Sequence, residues 1–98
     1  MDFKVIWSEE AIADLEGIYS YIARDDPDAA MRIVRGILAH VHILGSFPFI
    51  GPSYPRGAVG TLREIVFRPY RIFYDVSERS ESVEILHVWH RAREEPTF

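Results

Sequence analysis

Two neighbouring stretches decide how this chain is read: Leu62-Arg63-Glu64-Ile65-Val66-Phe67-Arg68-Pro69-Tyr70-Arg71-Ile72-Phe73-Tyr74-Asp75-Val76, and Val83-Glu84-Ile85-Leu86-His87-Val88-Trp89-His90-Arg91. Both are rich in β-branched and aromatic residues, the side chains that suit a pleated, half-buried surface. Arg68-Pro69 breaks the first stretch and the polar run from Ser77 to Ser82 separates it from the second, which predicts strands over Leu62 to Phe67, Tyr70 to Val76 and Val83 to His90. The connections are too short for crossover helices, so the three strands form an antiparallel meander. In the middle strand Tyr70, Ile72, Tyr74 and Val76 alternate with Arg71, Phe73 and Asp75. In the last, Val83, Ile85, His87 and Trp89 alternate with Glu84, Leu86, Val88 and His90. Large apolar groups stand on both faces, so one face is covered by helices and the other is buried by loop and termini or offered to a partner.

Upstream, Phe3 to Trp7 is a short β-prone run expected to join the sheet edge. Ser8 is an N-cap candidate, and Glu9 and Glu10 fall where carboxylates oppose the helix dipole. Ala11, Leu15, Ile18 and Ile22, flanked by Ile12 and Tyr19, recur at helical spacing and predict a helix from Glu9 to Arg24. Asp26-Pro27-Asp28 restarts a helix, with Asp26 as cap and Pro27 at the first position. Its buried face is expected to carry Ala30, Ile33, Val34, Ile37, Leu38, Val41 and Leu44, and it ends near Gly45; so short a link makes the pair an antiparallel hairpin. Gly17 and Gly36 lie off the apolar stripes, which reads as tolerance at a surface. From Gly45 to Gly60 the chain is a Gly- and Pro-rich loop, pinned to the core by Phe47, Phe49, Ile50 and Tyr54.

The fold class is therefore α+β, one domain over residues 1–98: an N-terminal strand, then an antiparallel two-helix hairpin packed on a mainly antiparallel sheet of about four strands. The chain has no cysteine, which excludes disulfides, thiolate metal sites and a cysteine nucleophile. No segment has the length or apolarity of a signal peptide or membrane span, so a cytoplasmic location without membrane contact is expected. The net charge of -4 is uneven: residues 1–31 carry -6, residues 32–74 carry +5 and residues 75–98 carry -3. A protein that holds nucleic acid through many phosphates is usually basic overall, so no stable nucleic-acid binding is expected, although a local basic patch can meet an acidic partner.

The four histidines, His40, His42, His87 and His90, fall in no metal-ligand pattern, and His87 and His90 sit on opposite faces of a strand. Neither a nucleophile elbow nor a phosphate- or dinucleotide-binding fingerprint is present, so no cofactor is expected. What remains is a set of basic and aromatic residues in the sheet region: Arg63, Arg68, Arg71, Tyr74, Trp89, His90, Arg91 and Arg93. Guanidinium groups held on strands bind carboxylates or phosphates in bidentate fashion, so the set is a candidate partner-binding surface. Its alternative use is catalytic: His90 as general acid or base, with arginines of the set stabilising the charge that develops on a phosphate.

The chain also resembles the RelE/ParE superfamily of toxins from bacterial type II toxin-antitoxin modules. The resemblance lies in Ala13-Asp14-Leu15, Ile18 and Tyr21-Ile22-Ala23; in Pro27 with Ala29-Ala30; in Leu44, Phe47-Pro48 and Gly51; and in Leu62-Arg63-Glu64, Tyr70-Arg71-Ile72-Phe73-Tyr74 and Val88-Trp89-His90-Arg91 with Arg93. It implies the same fold and a cognate antitoxin that wraps and silences the toxin. RelE-like members cut mRNA on the ribosome; ParE-like members poison DNA gyrase, in modules associated with plasmid stabilisation. Glu64 and Val66 stand where the nucleases carry alternating basic residues, Lys4 is the only lysine, and the chain ends in Phe98 rather than tyrosine. The resemblance is thus closer to ParE and implies gyrase inhibition without catalysis. The alternatives are a ribosome-dependent endoribonuclease using Arg68, Arg71, His90 and Arg91, and a non-toxic member that only binds antitoxin.

Overall fold

The computed structural model describes residues 2–54 and 62–93, so the second half of the expected loop, and Glu94, Glu95 and Phe98, lie outside the described residues. The elements run β1 (Lys4–Trp7), α1 (Glu9–Ala23), α2 (Pro27–His42), a 3-10 turn (Ile43–Gly45), β2 (Leu62–Phe67), β3 (Tyr70–Ser77) and β4 (Ser82–His90). Both expected caps form. The Ser8 hydroxyl accepts from the Ala11 N–H at 3.0 Å, and the Asp26 carboxylate accepts from Ala29 at 3.1 Å, with Pro27 opening α2. Each cap satisfies one of the N–H groups that a helix start leaves without an internal partner.

The sheet has the order β1-β4-β3-β2. The meander β2-β3-β4 is antiparallel, and β1 adds to β4 in parallel, pairing Val5 with Val83 and Trp7 with Ile85. The helical hairpin lies on one face. Ala11, Ile37, Val41 and Leu44 pack there against Tyr70, Ile72, Tyr74 and Val76 of β3 and Val83, Ile85 and Val88 of β4. Fully burying such an aliphatic side chain is worth roughly 1.5–3 kcal/mol, so this layer dominates stability. On the opposite face Tyr54, Leu62 and Phe73 form a second buried cluster, flanked by Leu86 and Trp89.

Four expectations are corrected. Alternation in β4 does not run unbroken: Phe73 pairs with His87 but Tyr74 pairs with Ile85, so Leu86 is an extra residue in a bulge. The bulge exchanges faces, putting Val88 and His90 with Val83 and Ile85 on the helix side, and His87 and Trp89 on the other. Leu38 is exposed rather than part of the buried face of α2. Of the four loop anchors only Tyr54 is buried, while Phe47, Phe49 and Ile50 stay exposed. Gly36 is not simply a surface residue, because a Cβ there would lie 2.4 Å from the tip of the Phe67 ring and a side chain would have to displace that ring.

The glycines separate into those that packing requires and those that it does not. A Cβ at Gly51 would lie 2.5 Å from the Glu64 carbonyl oxygen, 2.7 Å from the Tyr74 hydroxyl and 2.9 Å from Ile65 Cγ2, whereas one at Gly17 meets nothing. Gly51→Ala should therefore destabilise by ~1–3 kcal/mol through overpacking. Gly17→Ala should stabilise by about 1 kcal/mol through helix propensity alone. Urea denaturation of both variants beside the parent checks the pair, and the two midpoints must move in opposite directions.

Candidate functional site: an arginine depression beside an open sheet edge

Residues 68–71 turn the chain from β2 into β3 and bring together side chains that the sequence left at separate positions. Arg68 lies in the turn, Arg71 at the start of β3, and Arg91 just beyond β4, where its N–H donates to the Pro69 carbonyl oxygen at 2.9 Å. With Glu64 and Val66 of β2 these three arginines line one depression of about 260 Å³ on the sheet face away from the helices. Three guanidinium groups against one carboxylate leave it cationic.

The arginines differ in freedom. Arg71 donates to Glu64 through Nε at 2.5 Å and Nη2 at 3.3 Å, and its guanidinium lies 5.0 Å from the Phe73 ring centre and 5.8 Å from that of Tyr54. That fork and stacking fix it in place. Arg68 and Arg91 are exposed and form no ion pair among the described residues. They are the groups with which an incoming anion would pair.

Other sequence-predicted residues lie elsewhere. Arg63 serves the loop: it donates to the carbonyl oxygens of Gly51 at 2.6 Å and Phe49 at 3.3 Å, with its guanidinium 5.0 Å from the Phe49 ring centre. Tyr74 is fully buried, its hydroxyl accepting from the Gly51 N–H at 3.0 Å, so it holds the core rather than facing a partner. Trp89 is on the arginine side, capped by Arg93 at 3.7 Å from its ring centre, but it is not among the residues lining the depression. His90 is across the sheet. Its ring packs edge-on against Tyr70 with centres 5.5 Å apart, and it lines a groove beside α1 with Asp14, Gly17, Tyr21 and Arg93. The nuclease constellation is thus divided, its arginines on one face and its histidine on the other.

Sequence reasoning missed two features. Asp14 of α1 accepts from the Val88 N–H at 3.0 Å and meets His87 Nδ1 at 3.1 Å, so a side chain covers the β4 edge beyond the reach of β1. An acid among the apolar residues of α1 carried no signal of this. The second is an apolar groove of about 340 Å³ between the end of α2 and β2, lined by His40, Ile43, Leu44, Ile50, Gly51, Pro52, Glu64, Ile65 and Val66. The exposure of Ile43, Ile50 and Val66 could be read only once the loop was placed.

The comparisons with known proteins bear on this arrangement. The family model described as the ParE toxin of the type II toxin-antitoxin system, parDE, matches residues 5–95. The chain belongs to the ParE toxin family. The toxin RelE2 of Caulobacter vibrioides is 36% identical over 91 residues, covering 92% of this chain and 97% of that one. A protein of Sinorhizobium fredii named as a candidate toxin is 37% identical over 95 residues, covering 95% of this chain and 93% of that one. Among solved structures, the chromosomal ParDE system from P. aeruginosa superposes with a TM-score of 0.74 at 24% identity, covering 90% of this chain and 95% of that one. The toxin-antitoxin complex RelBE2 from Mycobacterium tuberculosis gives 0.71 at 22% identity, covering 93% and 100%. At those identities the structures establish the fold. The ParE-family chain therefore has the expected α+β architecture, with no helix among its described residues long and apolar enough to cross a membrane.

Burial also makes this ParE-family fold sensitive to alkaline pH through two phenols. The phenols of Tyr74 and Tyr70 are pushed above their ordinary 10.0, chiefly by desolvation; for Tyr74 the Gly51 N–H and the Arg63 charge act in the opposite direction. A folded-state pKa above the unfolded one means a contribution to stability that is intact below 10.0 and lost as the pH rises through the folded value. The tyrosine contribution to the urea midpoint should be constant from neutral pH up to that value and fall above it. Tyr74→Phe should reduce the alkaline slope and, by leaving the buried Gly51 N–H unpaired, cost roughly 1–3 kcal/mol at neutral pH.

Proposed function

We propose that this ParE-family toxin inhibits DNA gyrase by binding it, without cleaving nucleic acid, and that a cognate antitoxin silences it by covering the arginine depression. The observation that carries this reading is the state of Glu64. It occupies the cationic depression and holds Arg71 in a bidentate pair, so the charge left for an incoming group is that of Arg68 and Arg91. Among the described residues the one carboxylate in the depression, Glu64, is already paired with Arg71, and His90 is on the far side of the sheet, which speaks against an acid-base pair assembled there. The same arrangement suits a protein carboxylate, for which two exposed guanidinium groups provide charge-assisted hydrogen bonds and electrostatic steering. The convergence of Arg68, Arg71 and Arg91 is what favours the RelE-like nuclease as the second reading.

The purified protein should inhibit gyrase supercoiling in a dose-dependent way, and a translating extract should show no codon-phased mRNA cleavage by primer extension. Unimpaired supercoiling at saturating protein overturns the proposal; phased cleavage replaces it with the nuclease. For the antitoxin, Arg68→Glu combined with Arg91→Glu should weaken the complex by a few kcal/mol, on the order of the cost of opposing like charges across an interface. Calorimetric titration reads this, and both positions are exposed enough for folding to be unaffected.

A further inference from the structure

Gly17 is a glycine that packing does not explain. It costs its helix about 1 kcal/mol relative to alanine, and a Cβ there would meet no atom within 4 Å. The space above it belongs to the groove of about 550 Å³ between α1 and the last part of β4. Ala13, Gly17 and Tyr21 follow one another at helical spacing, so two small residues form the floor and a tyrosine, 74% exposed, stands at its end. On the other side His90 packs edge-on against Tyr70, and its Nδ1 accepts from the Ala92 N–H at 3.1 Å, which holds the ring in place. Arg93 also lines the groove, its guanidinium laid over Trp89, and it forms no ion pair among the described residues.

The backbone of β4 adds directional groups to this groove. Arg91 N–H donates to Pro69 on the β3 side and Val88 N–H to Asp14 on the α1 side, so residues 88 and 90 turn their backbone outward, beyond the end of β1. Asp14 takes the first of these groups, and the His90 carbonyl oxygen accepts from the Arg93 N–H at 3.0 Å. Between them the Val88 carbonyl oxygen and the His90 N–H have no partner among the described residues. A strand does not fit there, because the groups on either side are occupied. One acceptor and one donor two residues apart suit instead a planar group that carries a donor beside an acceptor. The amino group and adjacent ring nitrogen of an adenine-type base form such a pair, and aromatic side chains suit its faces. From this we infer that the groove binds a free adenine-type nucleotide, its base on Val88 and His90 and its phosphate on Arg93. The groove is separate from the arginine depression, and the inference does not depend on what the depression binds.

The test titrates the isotope-labelled full chain with AMP and follows its amide signals. Gly17, Tyr21, His90 and Arg93 should shift saturably, while Arg68 and Val66 stay in place. AMP dimethylated at its amino group lacks the donor and should bind roughly tenfold more weakly, the loss of one hydrogen bond. Adenosine should bind severalfold more weakly than AMP to the parent and equally to Arg93→Gln, which separates the phosphate contact from the base. Gly17→Leu fills the groove from a position where a Cβ meets nothing and leucine favours the helix, so it should abolish binding with the amide spectrum otherwise intact. Tyr21→Ala, at a residue already exposed, should weaken it. No saturable shift at millimolar AMP, equal binding of the dimethylated analogue, or undiminished binding by Gly17→Leu overturns the inference. AMP binding no tighter than adenosine overturns the assignment to a nucleotide. A tetra-adenylate that binds roughly tenfold or more tighter than AMP also overturns it, because the base then comes from a single strand whose stacked neighbours add affinity.

Discussion

The constraint on which this structure depends is the backbone of its sheet: every buried N–H and carbonyl group must find a partner, and four strands leave two edges to cover. At one edge β1 is only 4 residues long against the 9 of β4. The remainder is covered by the start of the helical layer. Ser8 N–H donates to the Ile85 carbonyl oxygen, the Ser8 hydroxyl donates to that of Leu86, and Asp14 accepts from Val88. Ser8 is therefore both the cap of α1 and the continuation of the edge. The entry of the helical hairpin is fixed by hydrogen bonds as well as by apolar packing.

The other edge is finished by the loop after α2. Pro52 and Tyr54 pair with β2, Gly51 approaches Glu64 and Tyr74 too closely for a side chain, and Arg63 holds the carbonyl oxygens of Phe49 and Gly51. These contacts end at Glu64, where the loop turns away and leaves Ile50 in solvent. The apolar residues beyond that point are exposed because nothing among the described residues covers the strand they flank. Exposed apolar surface beside an unpaired edge favours association, and the arginines opposite it restrict the charge of what can associate.

The fold was legible wherever local chemistry decides. Caps at Ser8 and Asp26, the break at Arg68-Pro69 and the β-branched runs each act over a few residues, and all appear in place. What was not legible depends on distance in sequence. Leu86 gives no local sign of a bulge, because its neighbours are as apolar as a regular strand's. Its extra residue exchanges the faces of everything after it, which moved His90 away from the arginines it had been grouped with. The contact that crowds Gly36 likewise comes from Phe67, a residue in a different element.

The candidate site was legible in composition but not in the state of its parts. Arginine spacing located Arg68, Arg71 and Arg91; only the register, which pairs Glu64 with Phe73 and Val66 with Arg71, shows that Glu64 and Arg71 share a face and neutralise each other. A glutamate on a basic strand reads from sequence as a single lost charge, but in the sheet it removes two from availability, its own and that of Arg71. The site is thereby changed from a row of free cations suited to a polyanion into two exposed guanidinium groups beside a fixed ion pair. Two such groups suit the binding role proposed above, because charge-assisted hydrogen bonds and electrostatic steering select a carboxylate presented by a folded or folding protein.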